Sequence, residues 1–314
     1  MNRVLSLLPS ATEIVAAIGA EESLVGITHE CDYPPAITAT KPTVTSARIN
    51  PEMPSEEIDQ LVRAQLEDSG TLYALDLELV RQLRPTHVLT QQLCTVCAVG
   101  YATVHAAMRS LPDPPEVINL EPRTLEEVFG TMIAVGELLG RKEAAERVVA
   151  GLQQGLAEIP RLPTPPRTLF LEWLIPPFRA GHWMPELVRW AGGTPVLCNE
   201  GSHSTQVSWE AIRATEFEAF VISCCGFSVK RTLLDIEASA EFQALRAERP
   251  SLRVIVMDGN HYFSRPGPRL VESAQMLNAA LQGLPPELSG ASIPVPYSFL
   301  LSTAISNAAN AASI

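Results

Sequence analysis

Residues 124–159 read TLEEVFGTMIAVGELLGRKEAAERVVAGLQQGLAEI, and this stretch decides how the 314 residues are laid out. Thr124 and Glu127 stand at the spacing of a capping box, in which hydroxyl and carboxylate each satisfy an orphan N–H at a helix start. The helical pattern then runs to about Ile159, with Gly130, Gly136 and Gly140 weakening it without ending it. At 1.5 Å per residue, roughly 35 residues span about 50 Å. That is too long for the inside of one lobe, so the helix is expected to join two. Pro160, Pro163, Pro165 and Pro166 close it.

On the N-terminal side, Arg3 to Leu8 reads as a buried strand. Ser10 and Glu13 offer a second capping box, with Ser10 as the cap, for a helix that stops at Gly19. A strand at Leu24 to Thr28 leads into a proline-forced loop, His29 to Pro35. A polar helix follows at Ser55 to Gln65, then a helix at Leu77 to Leu83, a strand at His87 to Thr90, a helix at Thr103 to Leu111 and a strand at Val117 to Leu120. This alternation predicts an α/β layer with a mainly parallel sheet.

The C-terminal side repeats the logic. Strands are expected at Thr168 to Leu171, Phe220 to Ser223 and Arg253 to Met257, and helices at Pro185 to Ala191, Lys230 to Glu237 and Pro268 to Leu281. One stretch also repeats in sequence. Asp76 to Arg81, leading to the strand at His87, aligns without a gap on Ser208 to Arg213, leading to the strand before Ser223. Each is a cap, a short helix and a buried strand. The expected layout is an N-terminal lobe (1–122), a linking helix (123–160), a C-terminal lobe (161–284) and a mobile tail (285–314). The fold class is α/β, two similar lobes with mainly parallel sheets joined by one long helix.

Composition narrows the function. The net charge of -12 excludes a basic nucleic-acid footprint, and no apolar run approaches the length of a membrane span. Pro9, Thr12 and Glu13 interrupt the apolar stretch after Arg3, so the N-terminus reads as strand and helix rather than a leader. Six cysteines in a chain of this length suit free thiols and a reducing compartment. The expected location is therefore the cytoplasm, with a periplasmic or extracellular location the alternative if the N-terminus is incomplete.

In parallel sheets, ligands sit beyond the carboxyl ends of the strands. The loops there carry His29 to Tyr33, Gln91 to Cys94, Glu172 to Trp183, Cys224 to Phe227 and Asp258 to Phe263. The loop Glu172-Trp-Leu-Ile-Pro-Pro-Phe-Arg-Ala-Gly-His-Trp183 stands out. Its prolines prevent the strand from continuing, so it is expected as a stiff loop holding Trp173, Phe178, His182 and Trp183 for a broad, flat ligand. Trp190 and Trp209 lie inside helical patterns and read as core.

With Ser6-Leu-Leu-Pro-Ser-Ala-Thr-Glu13, the long helix, His29-Glu-Cys-Asp-Tyr-Pro34 and the Glu172–Trp183 loop, the chain resembles the cobalamin-binding subfamily of helical-backbone, class III ABC-type substrate-binding proteins. The resemblance covers about Arg3 to Leu284. It implies no catalysis, a corrinoid held between two lobes with little closure, and delivery to an ABC importer, an implication that the absence of a recognisable leader puts in question. Expected stacking contacts are Tyr33, Trp173, Phe178, Trp183, Phe227 and Tyr262, with backbone groups near Ser10, Gln92 and Gly226 meeting the amide fringe. Pro9, Cys31, Asp32, His182 and Phe263 complete the expected ligand-binding set.

The cysteines support a rival reading. Cys94 and Cys97 have the spacing of a zinc half-site or redox pair, and Cys31 can complete it. The alternatives are thus a cytoplasmic metal- or thiol-dependent enzyme using Cys31, Cys94 and Cys97, or a binding protein for haem or an iron chelate. A thiolate, His29 or His182 could also ligate a corrinoid's cobalt. Of the vicinal Cys224 and Cys225, one is expected to pack and the other to face the loop. His261 is expected in a ligand-contact or structural role, since no nucleophile or carboxylate stands at a catalytic spacing from it.

Overall fold

A computed structural model describes residues 2–47, 50, 53–68, 73–91, 101–285 and 297–300. The chain divides into two compact units, Met1–Gln154 with Arg265–Pro268, and Gly155–Ser264 with Arg269–Ile314.

In the first unit, strands β1 (Val4–Ser6), β2 (Leu24–Ile27), β5 (His87–Thr90) and β6 (Glu116–Asn119) form a parallel sheet in the order β2-β1-β5-β6. Strands β3 (Thr45–Ala47) and β4 (Tyr73–Leu75) make a separate antiparallel pair. The helices are α1 (Pro9–Ala17), the single turn α2 (Pro35–Thr38), α3 (Ser55–Asp68), α4 (Leu77–Leu83), α5 (Tyr101–Arg109), α6 (Leu125–Leu138) and α7 (Lys142–Ala157), whose last turn enters the second unit. Val4, Leu5, Val88 and Leu89 are wholly buried, as expected for strands covered on both faces.

The expected single linking helix is two helices. Thr124 does cap α6, its hydroxyl accepting from Glu127 N at 3.2 Å, while the Glu127 carboxylate accepts from Arg123 N at 2.5 Å. Gly140 then ends the helix at φ +69°. Arg141 N donates to Gly136 O at 2.6 Å and Gly140 N to Glu137 O at 3.1 Å, the paired bonds of a Schellman stop. In a continuous helix Gly136 and Ala145 would lie about 13 Å apart. Instead, a Cβ built on Gly136 would stand 2.5 Å from that of Ala145, so the chain folds back on itself here.

The start of α1 also differs from expectation. Leu8 is its N-cap, with no side-chain cap bond, and Pro9 fills the first turn. Ser10 is therefore inside the helix rather than capping it, and Glu13 turns to Arg265 at 3.1 Å.

The second unit holds β7 (Arg167–Leu174), β8 (Pro177–Arg179), β9 (Gly181–His182), β10 (Thr194–Val196), β11 (Asn199–Glu200), β12 (Thr205–Gln206), β13 (Ala219–Ile222), β14 (Arg253–Met257) and β15 (Tyr297–Leu300). Its sheet runs β12-β8-β7-β13-β14-β15, with β10 also paired to β7 and β11 joined to β9 separately. The helices are α8 (Met184–Trp190), α9 (Trp209–Ala214), α10 (Val229–Ala238), α11 (Ala240–Glu248) and α12 (Leu270–Leu281), with one π turn at Gly259–Phe263. Parallel β7, β13 and β14 form the centre; every residue of β13 is buried, and Phe220 packs on Phe242 at 5.7 Å.

The matching segments seen in the sequence fold alike. Asp76 caps α4 through Leu79 N and Ser208 caps α9 through Ala211 N, and these helices lead into the interior strands β5 and β13. Tyr297–Leu300 adds β15 antiparallel to β14, and buried Tyr297 donates its hydroxyl to Leu284 O at 2.9 Å. Among the described residues, no helix is long and apolar enough to cross a membrane.

Candidate functional site

The Glu172–Trp183 segment is a hairpin rather than an open loop. Strand β7 continues to Leu174, turns through Ile175 and a cis Pro176, and returns as antiparallel β8 beginning at Pro177. Both prolines tolerate these places because a turn and the first residue of a strand need no ladder N–H from them. The hairpin presents Trp173 and Phe178 half-buried. Trp173 donates its indole N–H to Ile175 O at 2.9 Å, which fixes the ring.

Trp173 rests on Phe227 from the loop after β13, with ring centroids 4.7 Å apart. The Arg231 guanidinium lies 4.2 Å from the Phe227 centroid and bonds Asp235 at 2.6 Å. Together these form a ledge of indole, phenyl and guanidinium, the two rings tilted at 43°, with the Trp173 ring half-buried at its outer end. The Gly226 turn beneath it needs φ +74°, a conformation glycine adopts without strain. Cys225 N donates to Glu172 O, and Gly259 N and Asn260 N both donate to Phe227 O, so the three strand-end loops are hydrogen-bonded to one another.

The loop after β14 is the π turn. Asp258 accepts from His261 N at 2.7 Å and approaches His261 Nδ1 at 3.0 Å. Asp258 is buried and His261 about a third exposed. A π turn often marks a functional position. The three-residue spacing of Asp258 and His261 was the signal available in sequence for this pair, and it was missed. The four-residue spacing of Arg231 and Asp235 was the signal for that one.

Several expected contacts are core instead. Trp183 is 5% exposed and donates to Phe263 O at 3.3 Å, while Tyr262 and Phe263 are wholly buried. Phe263 packs on Phe170 at 5.7 Å, and Tyr262 lies under Arg269 at 5.1 Å. The π turn draws both rings inward, so they cannot stack on a ligand. Phe227 too is only 5% exposed and acts as the base beneath Trp173. Trp190, expected in the core, is 45% exposed at the end of α8.

In the first unit, Tyr33 is 38% exposed in the loop after β2, while Pro9 is half-buried and Ser10 buried in the first turn of α1. Asp32 is held by both terminal nitrogens of Arg265. Cys31 is buried with its thiol 3.1 Å from the Thr12 hydroxyl, which donates to Ser6 Oγ at 2.8 Å. Burial pushes that thiol up to about 11, so it stays protonated at neutral pH and makes a poor metal ligand. Among the described residues no group of three or more His, Cys, Asp and Glu is placed to hold a metal, and nothing supports zinc at Cys31. Gln92, Cys94 and Cys97 lie outside the described residues. Cys224 is fully buried, its thiol held well above the ordinary range by desolvation, while Cys225 is half-buried, the division expected of the pair. His29 meets Thr45 at 2.7 Å and Glu30 at 3.1 Å.

The profile of the periplasmic binding protein family matches residues 4–259. A vitamin B12-binding protein of Pectobacterium atrosepticum is 23% identical over 297 residues, covering 90% of this chain and 89% of its own. Among solved structures, the periplasmic heme binding protein HutB of Vibrio cholerae superimposes with a TM-score of 0.64 at 17% identity, over 89% of this chain and 98% of its own. The periplasmic vitamin B12 binding protein BtuF of Vibrio cholerae gives 0.57 at 19% identity, over 90% and 96%.

Proposed function

This chain belongs to the periplasmic binding protein family, and we propose that the ligand it binds is a corrinoid of the cobalamin type. The family consists of substrate-binding proteins rather than enzymes, and its members serve ABC importers. The observation that carries the corrinoid reading is the Trp173–Phe227 ledge at the ends of the central strands of the second unit. A corrin is a broad apolar disc with a fringe of neutral amides. It asks for one rigid aromatic surface and nearby neutral hydrogen-bonding groups, not for a cluster of charge. Trp173, Phe178 and the exposed Gly226 turn supply these within the second unit. The likeness to vitamin B12-binding proteins along most of the chain supports the same reading.

Haem is the second reading, favoured by Asp258 and His261. A carboxylate on one ring nitrogen is the arrangement that orients a metal-ligating imidazole, and iron porphyrin accepts such a ligand readily. We further propose a cytoplasmic location, on the support that Cys31, Cys198, Cys224 and Cys225 are unbridged; cell fractionation tests it. Absorption titrations of the apoprotein with cyanocobalamin and with hemin separate the ligands. The corrinoid reading expects saturable binding of cyanocobalamin at one equivalent, weakened by Trp173→Ala. A Soret shift with hemin, lost in His261→Ala, together with no uptake of cyanocobalamin, would replace it.

A further inference from the structure

A pair of imidazoles lies beside the hairpin, and the corrinoid reading, carried by the Trp173–Phe227 ledge, does not rest on it. His182 Nε2 and His203 Nδ1 face each other at 3.3 Å, with the two rings at 89° and their centroids 5.2 Å apart. Two imidazole nitrogens bound to one tetrahedral ion at 2.0–2.1 Å are separated by about 3.3–3.4 Å. The observed gap therefore already has the bite of a tetrahedral metal. Without an ion the same distance serves as a hydrogen bond between the rings.

The backbone around the pair is fixed at unusual cost. His182 sits at φ +49°, a left-handed conformation that a side-chain-bearing residue adopts only when its surroundings impose it. Its N–H donates to Ser202 O at 2.7 Å and its carbonyl accepts from Gly201 N at 3.1 Å. Next to it, a Cβ on Gly181 would stand 2.3 Å from Ser204 N and 2.6 Å from Ser202 O, so glycine is what lets the 202–204 backbone close over this point. Asn199 donates to His203 O at 3.2 Å and to Thr205 Oγ1 at 2.7 Å. The His182 ring is backed by Trp183 at 5.7 Å. Both imidazoles are thus held on pinned backbone, with His203 at the exposed surface.

We propose that His182 and His203 form a two-imidazole seat for a divalent first-row transition ion, whose remaining positions are filled by water or by donor atoms of a chelating molecule. The donor set is nitrogen only and separate from the cysteines. Imidazole favours zinc, cobalt, nickel and copper over magnesium or calcium. The seat would tie the β9 strand to the 199–204 segment and stiffen the base of the hairpin that carries Trp173.

Calorimetric titration of tag-free protein with zinc chloride alone, in the absence of any tetrapyrrole, tests the seat independently of corrinoid binding. One equivalent of zinc is expected to bind, about tenfold or more weaker in His182→Gln and in His203→Gln and unchanged in the control His105→Gln. Cobalt(II) should give a visible absorption band from the same site. Equal zinc affinity in His203→Gln and the parent protein would overturn the proposal, as would no uptake by the parent. If either glutamine variant fails to fold, the ring-proton resonances of the parent protein decide. Zinc must shift both His182 and His203, and shifts confined to other histidines would overturn it.

Discussion

Arg265 grips Asp32 with both terminal nitrogens, at 2.5 and 2.8 Å, across 233 residues of sequence, and also reaches Glu13 at 3.1 Å. Burial works against the charge on Arg265, but the hydrogen bonds and charges of Asp32 and Glu13 outweigh it and hold its pKa above the ordinary arginine value. Glu13 is almost wholly buried, whereas Asp32 keeps a third of its side chain in water. Removing Arg265 therefore takes the cation from a buried carboxylate as well as from a partly exposed one.

The first prediction follows from that asymmetry. Arg265→Met should lower stability by about 3–5 kcal/mol, the cost of removing one partner of a buried ion pair. Asp32→Asn should cost only about 1 kcal/mol, because Glu13 still pairs the arginine. Urea denaturation followed by circular dichroism measures both, and equal losses would contradict this account.

Gly130 and Gly136 lie in one helix, look equivalent in sequence and should respond oppositely to alanine. Nothing stands within 4 Å of a Cβ at Gly130, so Gly130→Ala should stabilise by about 0.5–1 kcal/mol through helix propensity. At Gly136 the same methyl meets Ala145, and Gly136→Ala should destabilise by about 1–3 kcal/mol. Thermal melting of the two variants side by side makes the comparison.

The Cys31 thiol gives a pH dependence of defined sign. With its folded pKa near 11 against 9.0 unfolded, the native state keeps a proton that the unfolded state loses between those values. Stability from this group is complete below about pH 9 and falls as pH rises toward 11. Cys31→Ala should flatten that alkaline slope relative to the parent protein. In native protein at pH 8, Cys31 and Cys224 should resist a thiol reagent and react only after unfolding. Mass mapping of the modified cysteines reads this directly.

Two tryptophans predicted alike from sequence should separate under mutation. Trp173→Ala should weaken cyanocobalamin binding about tenfold and leave the melting temperature nearly unchanged, since its ring is half exposed. Trp183→Ala should instead cost about 3–5 kcal/mol of stability, because it empties a buried site and frees Phe263 O of its donor. Calorimetry for binding and urea titration for stability separate the two effects.

The layer architecture was readable where a short buried run follows a capped helix: the helix Leu77 to Leu83 and the strands His87 to Thr90 and Arg253 to Met257 fall on the expected residues. The break at Gly140 was not readable from helical period alone. Three glycines weaken the pattern similarly, and only the fold-back that brings Ala145 onto Gly136 shows which one stops the helix. The same limit applies to the site. Aromatic residues at strand ends mark the right loops, yet Trp173 faces outward while Trp183, Tyr262 and Phe263 face inward, because a hairpin and a π turn set directions that residue type does not encode. Glu13 was assigned to a capping box because its partner Arg265 is 252 residues away.

Equilibrium dialysis of the apoprotein against cyanocobalamin, run in parallel with Trp173→Ala, tests the corrinoid reading most directly. The account predicts one bound cyanocobalamin per chain at saturation and a clear loss of retention in the variant. Retention no greater than that of an unrelated protein, or identical retention by parent and variant, would contradict it.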